Sequence, residues 1–199
     1  SNSPYFGFEF YERNNGLFYE RIKTDFTNNQ VYLFRKNLTT NQSDSTYLYQ
    51  FGSQGYGNDL KRFGDTDVVQ IYSFDDKLKK NVSSYYVFAG GSAISVITKI
   101  EYNYIFGSDY YFYNKQFILA RSENNYFKFY IYSIANSKID SFSFYNYISN
   151  SRSLYAMNLT TINGKLVLLT NYTNKDSLYI YDLGRDASTF NLRNMVKID

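Results

Sequence analysis

Apolar and polar residues alternate with a period of two along almost the whole chain. Phe6, Phe8 and Phe10 alternate with Gly7 and Glu9, Phe127, Phe129 and Ile131 with Lys128 and Tyr130, and Leu178 and Ile180 with Tyr179 and Tyr181. Successive side chains of an extended strand point to opposite faces, so this rhythm sets one row against a core and the other toward water. The residues that carry it are aromatic and β-branched, types that fit a pleated, half-buried surface. Helical spacing behind a capping residue is hard to find anywhere. The pattern predicts an all-β protein of antiparallel strands.

Turn chemistry divides the pattern into elements. The clearest hairpin runs Leu154–Ile162, Asn163-Gly164, Lys165–Thr170, because Asn-Gly supplies the two positive φ angles of a type I′ turn. A polar loop over 171–177 leads into a third strand, Leu178–Leu183. Three more pairs follow the same reading: Gln116–Arg121 with Tyr126–Ile134 across a turn at Ser122–Asn125, Val31–Phe34 with Thr46–Phe51, and Tyr85–Ala89 with Ile94–Glu101. Their second strands begin near Thr46, Ala93, Phe127 and Ser177, roughly 47, 34 and 50 residues apart, near the period of propeller blades but uneven.

The segment from Leu154 through NGKLVLLTNYTNKDSLYIYDL resembles one blade of a kelch or WD-type propeller, and so does YYVFAGG at Tyr85–Gly91. The resemblance implies a small, four-bladed propeller-like meander. The Trp and His that usually mark such blades are absent. Uneven spacing fits a two-layer β-sandwich of about eight to twelve strands equally well. With 199 residues, a single all-β domain over 1–199 is expected, large enough to stand on packing alone.

Composition changes the picture mainly by what it removes. The chain has no Cys and no His. Disulfides, thiolate metal sites and cysteine nucleophiles are therefore impossible, and so are a Ser-His-Asp triad and a His-ligated metal. Only carboxylates, Lys, Tyr, Ser and Thr remain for catalysis, and neither a cofactor nor a metal is expected. There are 24 Tyr and 18 Phe, much Asn and Ser, one Pro, and only five Glu: Glu9, Glu12, Glu20, Glu101 and Glu123. That balance is typical of secreted and surface-exposed proteins. The net charge of +3 is small, and the densest basic cluster, Lys77, Lys79 and Lys80, is too short for a nucleic-acid or membrane footprint. No apolar run is long enough for a membrane span. The chain opens at Ser1 with both methionines, Met157 and Met195, far inside, which accords with a cleaved leader or a trimmed chain. The first would agree with export.

Several groups of residues are candidates for function. The segment Tyr5–Tyr11 is a cleanly alternating strand at a chain end, followed by the polar break Asn14-Asn15-Gly16. Such a strand, within an exchangeable region 1–12, can complete a neighbouring subunit's sheet through Tyr5, Phe6, Phe8 and Phe10, and head-to-tail repetition would build a filament. It can equally pair within its own domain. Tyr110, Tyr111 and Tyr113, with Tyr145 and Tyr147, are candidate ligand contacts, since tyrosine offers a large apolar face and one polar handle. Core packing is their other use.

Asn37, Asn41, Asn81, Asn158 and Asn171 each begin an Asn-x-Ser/Thr acceptor for N-linked glycans. Gly52, Gly55 and Gly57 lack the strand–helix context of a phosphate loop and read as an inter-strand loop. Acid pairs for glycoside hydrolysis would be Asp65 with Asp67, Asp75 with Asp76, or glutamates that meet through space. No ordered run has the ligand spacing of a calcium loop. The expectation is a non-enzymatic, extracellular or cell-surface β-domain acting by adhesion or assembly, with itself, another surface protein or a glycan as partner. The alternatives are a tyrosine-lined binding module and a carboxylate-based hydrolase.

Overall fold

The computed structural model describes residues 8–52, 56–75, 77–89, 96–103, 108–146, 148, 154–173, 177–186 and 189–198. The all-β expectation holds. Among these residues sixteen strands form four four-stranded sheets, and every pairing is antiparallel between strands consecutive in sequence. The first sheet holds β1 (Phe8–Arg13), β2 (Gly16–Asp25), β3 (Gln30–Asn37) and β4 (Ser43–Gln50). The second holds β5 (Tyr56–Phe63), β6 (Thr66–Asp75), β7 (Lys80–Ala89) and β8 (Val96–Asn103). The third is β9 (Ser108–Tyr113), β10 (Gln116–Glu123), β11 (Tyr126–Ser133) and β12 (Ile139–Tyr145). The fourth is β13 (Leu154–Ile162), β14 (Lys165–Tyr172), β15 (Leu178–Gly184) and β16 (Asn194–Ile198). Sheets begin at residues 8, 56, 108 and 154, a far more even interval than the sequence suggested. Within each sheet the strands follow one another in chain order, the connectivity of a meander.

The hairpins close through asparagine. Asn14-Asn15, Asn124-Asn125 and Asn163-Gly164 each place two positive φ angles between adjacent strands, as does Asn114-Lys115. Paired positive angles match the right-handed twist of the flanking strands, and Asn visits that region more readily than other residues with a β-carbon. The turn expected over Ser122–Asn125 thus tightens to two residues, and β10 runs on to Glu123. Likewise β14 extends through Asn171 to Tyr172, where the sequence suggested a loop.

The chain divides into two compact units, residues 1–104 and 105–199. In the first, Ile22, Val31, Leu33 and Leu48 of the first sheet meet Leu60, Val69, Ile71 and Phe88 of the second. These are the inward-facing alternates of each strand, and their burial is the main stabilising term of the unit. In the second, Ile118, Phe127, Phe129 and Phe144 of the third sheet meet Leu166, Leu168, Tyr181 and others of the fourth. Phe129 stacks on Phe142 with ring centres 4.5 Å apart. The Asp109 carboxylate, buried in β9, accepts a 2.6 Å hydrogen bond from the Leu159 amide of β13 and so ties those two sheets at their backbones.

Gly164→Val sets a β-branched residue at a φ of +71° and is expected to cost more than about 1 kcal/mol, with Gly164→Asn costing clearly less. Urea denaturation of the two variants checks the order.

Candidate functional site

The inner face of the first unit changes character along its length. Toward one end it is aliphatic; toward the other it buries charge. Strand alternation and register bring Tyr11 of β1, Glu20 of β2 and Arg35 of β3 onto this face, with Glu20 opposite Arg35 across the ladder. Arg62 of β5 and Asp67 of β6, themselves register partners, face them from the second sheet. Glu20 and Asp67 are fully buried, at 0 % exposure, and Arg35 is 2 % exposed.

Arg35 joins the two sheets. Its Nε donates to Glu20 Oε1, and its Nη2 donates to Asp67 Oδ2 at 3.2 Å. Arg62 Nη1 donates to Asp67 Oδ1 at 2.8 Å and lies 3.9 Å from Glu20 Oε2. The Tyr11 hydroxyl donates to Glu20 Oε1 at 2.8 Å, while the Arg62 guanidinium lies over the Tyr11 ring, 3.4 Å from its centre. Two carboxylates face two guanidiniums, so the cluster is neutral when all four are ionised. Burial and the neighbouring Glu20 carboxylate push Asp67 up to about 7, against the pull of Arg62 and Arg35. Burial and Glu20 also raise the Tyr11 hydroxyl, which stays protonated and serves as a donor.

A cleft of about 430 Å³ beside the network is lined by Phe18, Arg35, Asn37, Gln42, Ser43 and Asp44. The guanidinium at its floor already bonds Glu20 and Asp67. A glycosidase sets its two carboxyls on either side of a substrate bond in an open cleft; here both are turned inward and held by cations. The arrangement is suited to holding two sheets in one register.

The opposite face of the first sheet is open. Phe8 and Phe10 are 59 % and 58 % exposed, and Leu17 and Leu38 are exposed beside them. Phe10 lies across from Tyr19, with ring centres 5.0 Å apart, and Phe8 meets Phe10 edge-on at 6.0 Å. Phe8, Phe10, Tyr19 and Leu38 line a hollow of about 430 Å³. The same alternation places Arg21, Lys23 and Lys36 around these rings, with the Arg21 guanidinium 5.8 Å from the centre of the Phe34 ring. Glu12 stands at the corner.

The residues named from sequence are dispersed. Phe8 and Phe10 lie in β1, paired with β2 of their own sheet; Tyr5 and Phe6 fall outside the described residues. Tyr110 is 2 % exposed and stacks against Phe117, so it packs inside rather than facing a ligand. Tyr111 bonds Thr161 through its hydroxyl, and the Tyr113 hydroxyl donates to the Gly164 and Arg185 carbonyls. Tyr145 packs edge-on against Tyr126, and Tyr147 is outside the described residues. Of the acceptor asparagines, Asn41, Asn81 and Asn158 are exposed, whereas Asn37 and Asn171 are half-buried. The Asn37 side chain also caps the amides of Thr39 and Thr40.

Asp65 and Asp67, neighbours in sequence, part company: Asp65 is an exposed turn residue 3.6 Å from Arg13, and Asp67 is interior. Asp75 caps the amides of Lys77 and Leu78, and Asp76 is outside the described residues. Glu101 pairs with Lys99, and Glu123 with Arg121 and Lys128. Gly57 lies within β5, where the Tyr72 ring fills the space a β-carbon would need; Gly55 is outside the described residues. The cluster of Glu20, Arg35, Arg62 and Asp67 was not found by sequence. Its signal was a charged residue at an inward position of four alternating strands.

No protein-family profile matches the chain, and no curated protein matches it. Among solved structures it is similar to an acylaminoacyl peptidase in complex with Z-Gly-Gly-Phe-chloromethyl ketone, at 7 % identity and a TM-score of 0.43, over 91 % of this chain and 46 % of that one. It is also similar to the uncomplexed acylaminoacyl peptidase of Pyrococcus horikoshii, at 10 % identity and a TM-score of 0.40, over 89 % of this chain and 38 % of that one. The chain thus spans less than half the length of these proteins, and a likeness of this degree transfers neither activity nor substrate.

Arg35→Met leaves two buried carboxylates short of their shared cation and is expected to cost about 3–5 kcal/mol, more than replacing Glu20, Arg35, Arg62 and Asp67 together by apolar residues. Urea unfolding of both variants tests this. Because folding raises the Asp67 pKa, the folded state holds a proton that the unfolded chain has released. The stability from this group is full in acid and is lost as the pH rises from about 4 to about 7. In Asp67→Asn that component of the decline disappears, which unfolding free energies measured across the interval will show.

Proposed function

We propose that the protein is a non-enzymatic, secreted or cell-surface β-domain that acts by adhesion or assembly. One observation carries the reading: the open face of the first sheet gathers Phe8, Phe10, Leu17 and Leu38, all exposed, into one apolar patch. Contiguous patches of large apolar side chains are costly to leave in water and mark surfaces that meet a partner. The carboxylates brought together are interior and neutralised by arginines, which supports a structural use for them and argues against the hydrolase reading. Export would leave Asn41, Asn81 and Asn158 exposed as glycan acceptors.

Assembly has a second form, a filament joined by exchange of the N-terminal strand. The position of β1 at the end of its sheet, with β2 as its one ladder partner among the described residues, favours it. Opening the two-residue Asn14-Asn15 turn would be the cost of exchange.

Beads coated with the protein are expected to adhere to cells of its source, and adhesion is expected to fall with Phe8→Ser/Phe10→Ser while stability stays within about 0.5 kcal/mol, as for surface changes generally. Electron microscopy of the same proteins separates the two forms. Filaments that vanish when residues 1–12 are deleted, yet survive the double substitution, point to strand exchange. Absence of both adhesion and polymers eliminates the reading.

A further inference from the structure

We propose that the outer face of the first sheet docks an acidic protein segment that carries large apolar side chains. The proposal rests on the adhesion-or-assembly reading and deepens it by naming the chemistry of the partner.

The face has the anatomy of a protein interface: an apolar centre within a charged rim. At its centre the hollow between Phe8, Phe10, Tyr19 and Leu38 holds about 430 Å³, enough for two or so side chains of leucine or phenylalanine size. Around it stand Arg21 and Lys23 of β2 and Lys36 of β3, none in an ion pair with a described carboxylate, against Glu12 and, at the far end of β2, Asp25, whose carboxylate is turned to the amides of Thr27 and Asn28. Three cations to two anions leave the rim net positive and set the sign of the partner. Its apolar residues would fill the hollow while its Asp and Glu side chains met the rim, and such complementarity fixes register and speeds encounter.

Two other occupants fit less well. A second copy seated face to face would bring Arg21, Lys23 and Lys36 against their own counterparts, since a two-fold contact pairs the same patch with itself. A single-stranded nucleic acid needs successive ring faces lying open for bases to stack on. Here Phe8 stands at 80° to Phe10, Phe10 tilts 35° from Tyr19, and the aliphatic Leu17 and Leu38 complete the surface. Those rings stand at angles to one another around a shallow depression and do not offer a row of parallel faces.

The test pans a random twelve-residue peptide library, displayed on phage, against the intact protein. It then measures one synthetic peptide from the enriched set by fluorescence polarisation. Enriched sequences are expected to carry an excess of Asp and Glu together with Phe, Leu, Ile or Trp. The chosen peptide is expected to bind at least about tenfold more weakly to Phe10→Ser and to Arg21→Glu/Lys36→Glu, and to weaken as salt is raised. Circular dichroism establishes that both variants keep the sheet spectrum, and Phe10→Leu, which keeps the apolar bulk, should retain most of the affinity.

Enrichment of neutral or basic peptides, or binding that both face variants leave intact, overturns the proposal. So does saturable binding of a fifteen-residue oligothymidylate or a heparin fragment that the same variants abolish, because a phosphate or sulfate polymer would then be the occupant. If cell adhesion depends on Phe8 and Phe10 while no acidic peptide is selected, this inference fails and the broader reading stands. Loss of adhesion as well removes both.

Discussion

Arg35 is the group on which the first unit turns. A guanidinium almost wholly withdrawn from water is tolerable only where carboxylates replace its lost hydration, and those carboxylates come from two sheets, Glu20 on its own and Asp67 on the next. The aliphatic residues of this interface would accept several relative placements of the two sheets at little difference in free energy. The charges accept far fewer, because any slip leaves a buried ion without its partner. Hydrophobic burial supplies the attraction, and the ion network supplies the alignment. Arg62 and Tyr11 tighten it, one lying flat on the other while each bonds an acid of the pair.

The two faces of the first sheet illustrate how much a period-two pattern determines. Along β2, Glu20 and Ile22 turn inward while Tyr19, Arg21 and Lys23 turn outward. Along β3, Leu33 and Arg35 are interior, and Phe34 and Lys36 are not. The inner surface therefore holds charges that are paired, although Glu20 Oε2 lacks a hydrogen bond, and the outer one holds rings left exposed. This inverts the usual division of labour, in which water takes the ions and the core takes the aromatic rings, and it is why the outer face reads as a surface made to be covered.

The fold class was legible because its signals are local. Alternation identified strands in every sheet, though β2, β5, β6, β9, β12 and β16 were not read as such, and Asn163-Gly164 fixed the turn of one hairpin to the residue. The asparagine turns were partly missed: Asn14-Asn15 read as a break and Ser122–Asn125 as a longer turn, since Asn-Asn is a weaker signal than Asn-Gly for two positive φ angles. The even division into sheets was hidden in β2, whose GLFYERIKTD mixes charge with apolar residues and does not look like a strand until its partners are known. The candidate site was illegible for a related reason. Glu20 and Arg35 meet across one hairpin and Arg62 and Asp67 across another, and only the packing of one sheet on the other brings the two pairs together. Tyrosine clustering pointed to Tyr110–Tyr113, where structure shows core and cross-sheet contacts, because abundance along the chain says nothing about which face of a sheet is covered.

The meander connectivity has a kinetic consequence. Every ladder links strands adjacent in sequence, so closing each one confines only a short stretch of chain and loses little loop entropy. β-Proteins whose ladders join neighbouring strands cross their folding barriers faster than those built from distant pairings. Hairpins of this chain can therefore zip up one after another as it lengthens, and what waits is the docking of one finished sheet on the next. For the first unit that late step is also the one that takes Arg35, Glu20 and Asp67 out of water, so dehydration of the ion network falls at the end of folding.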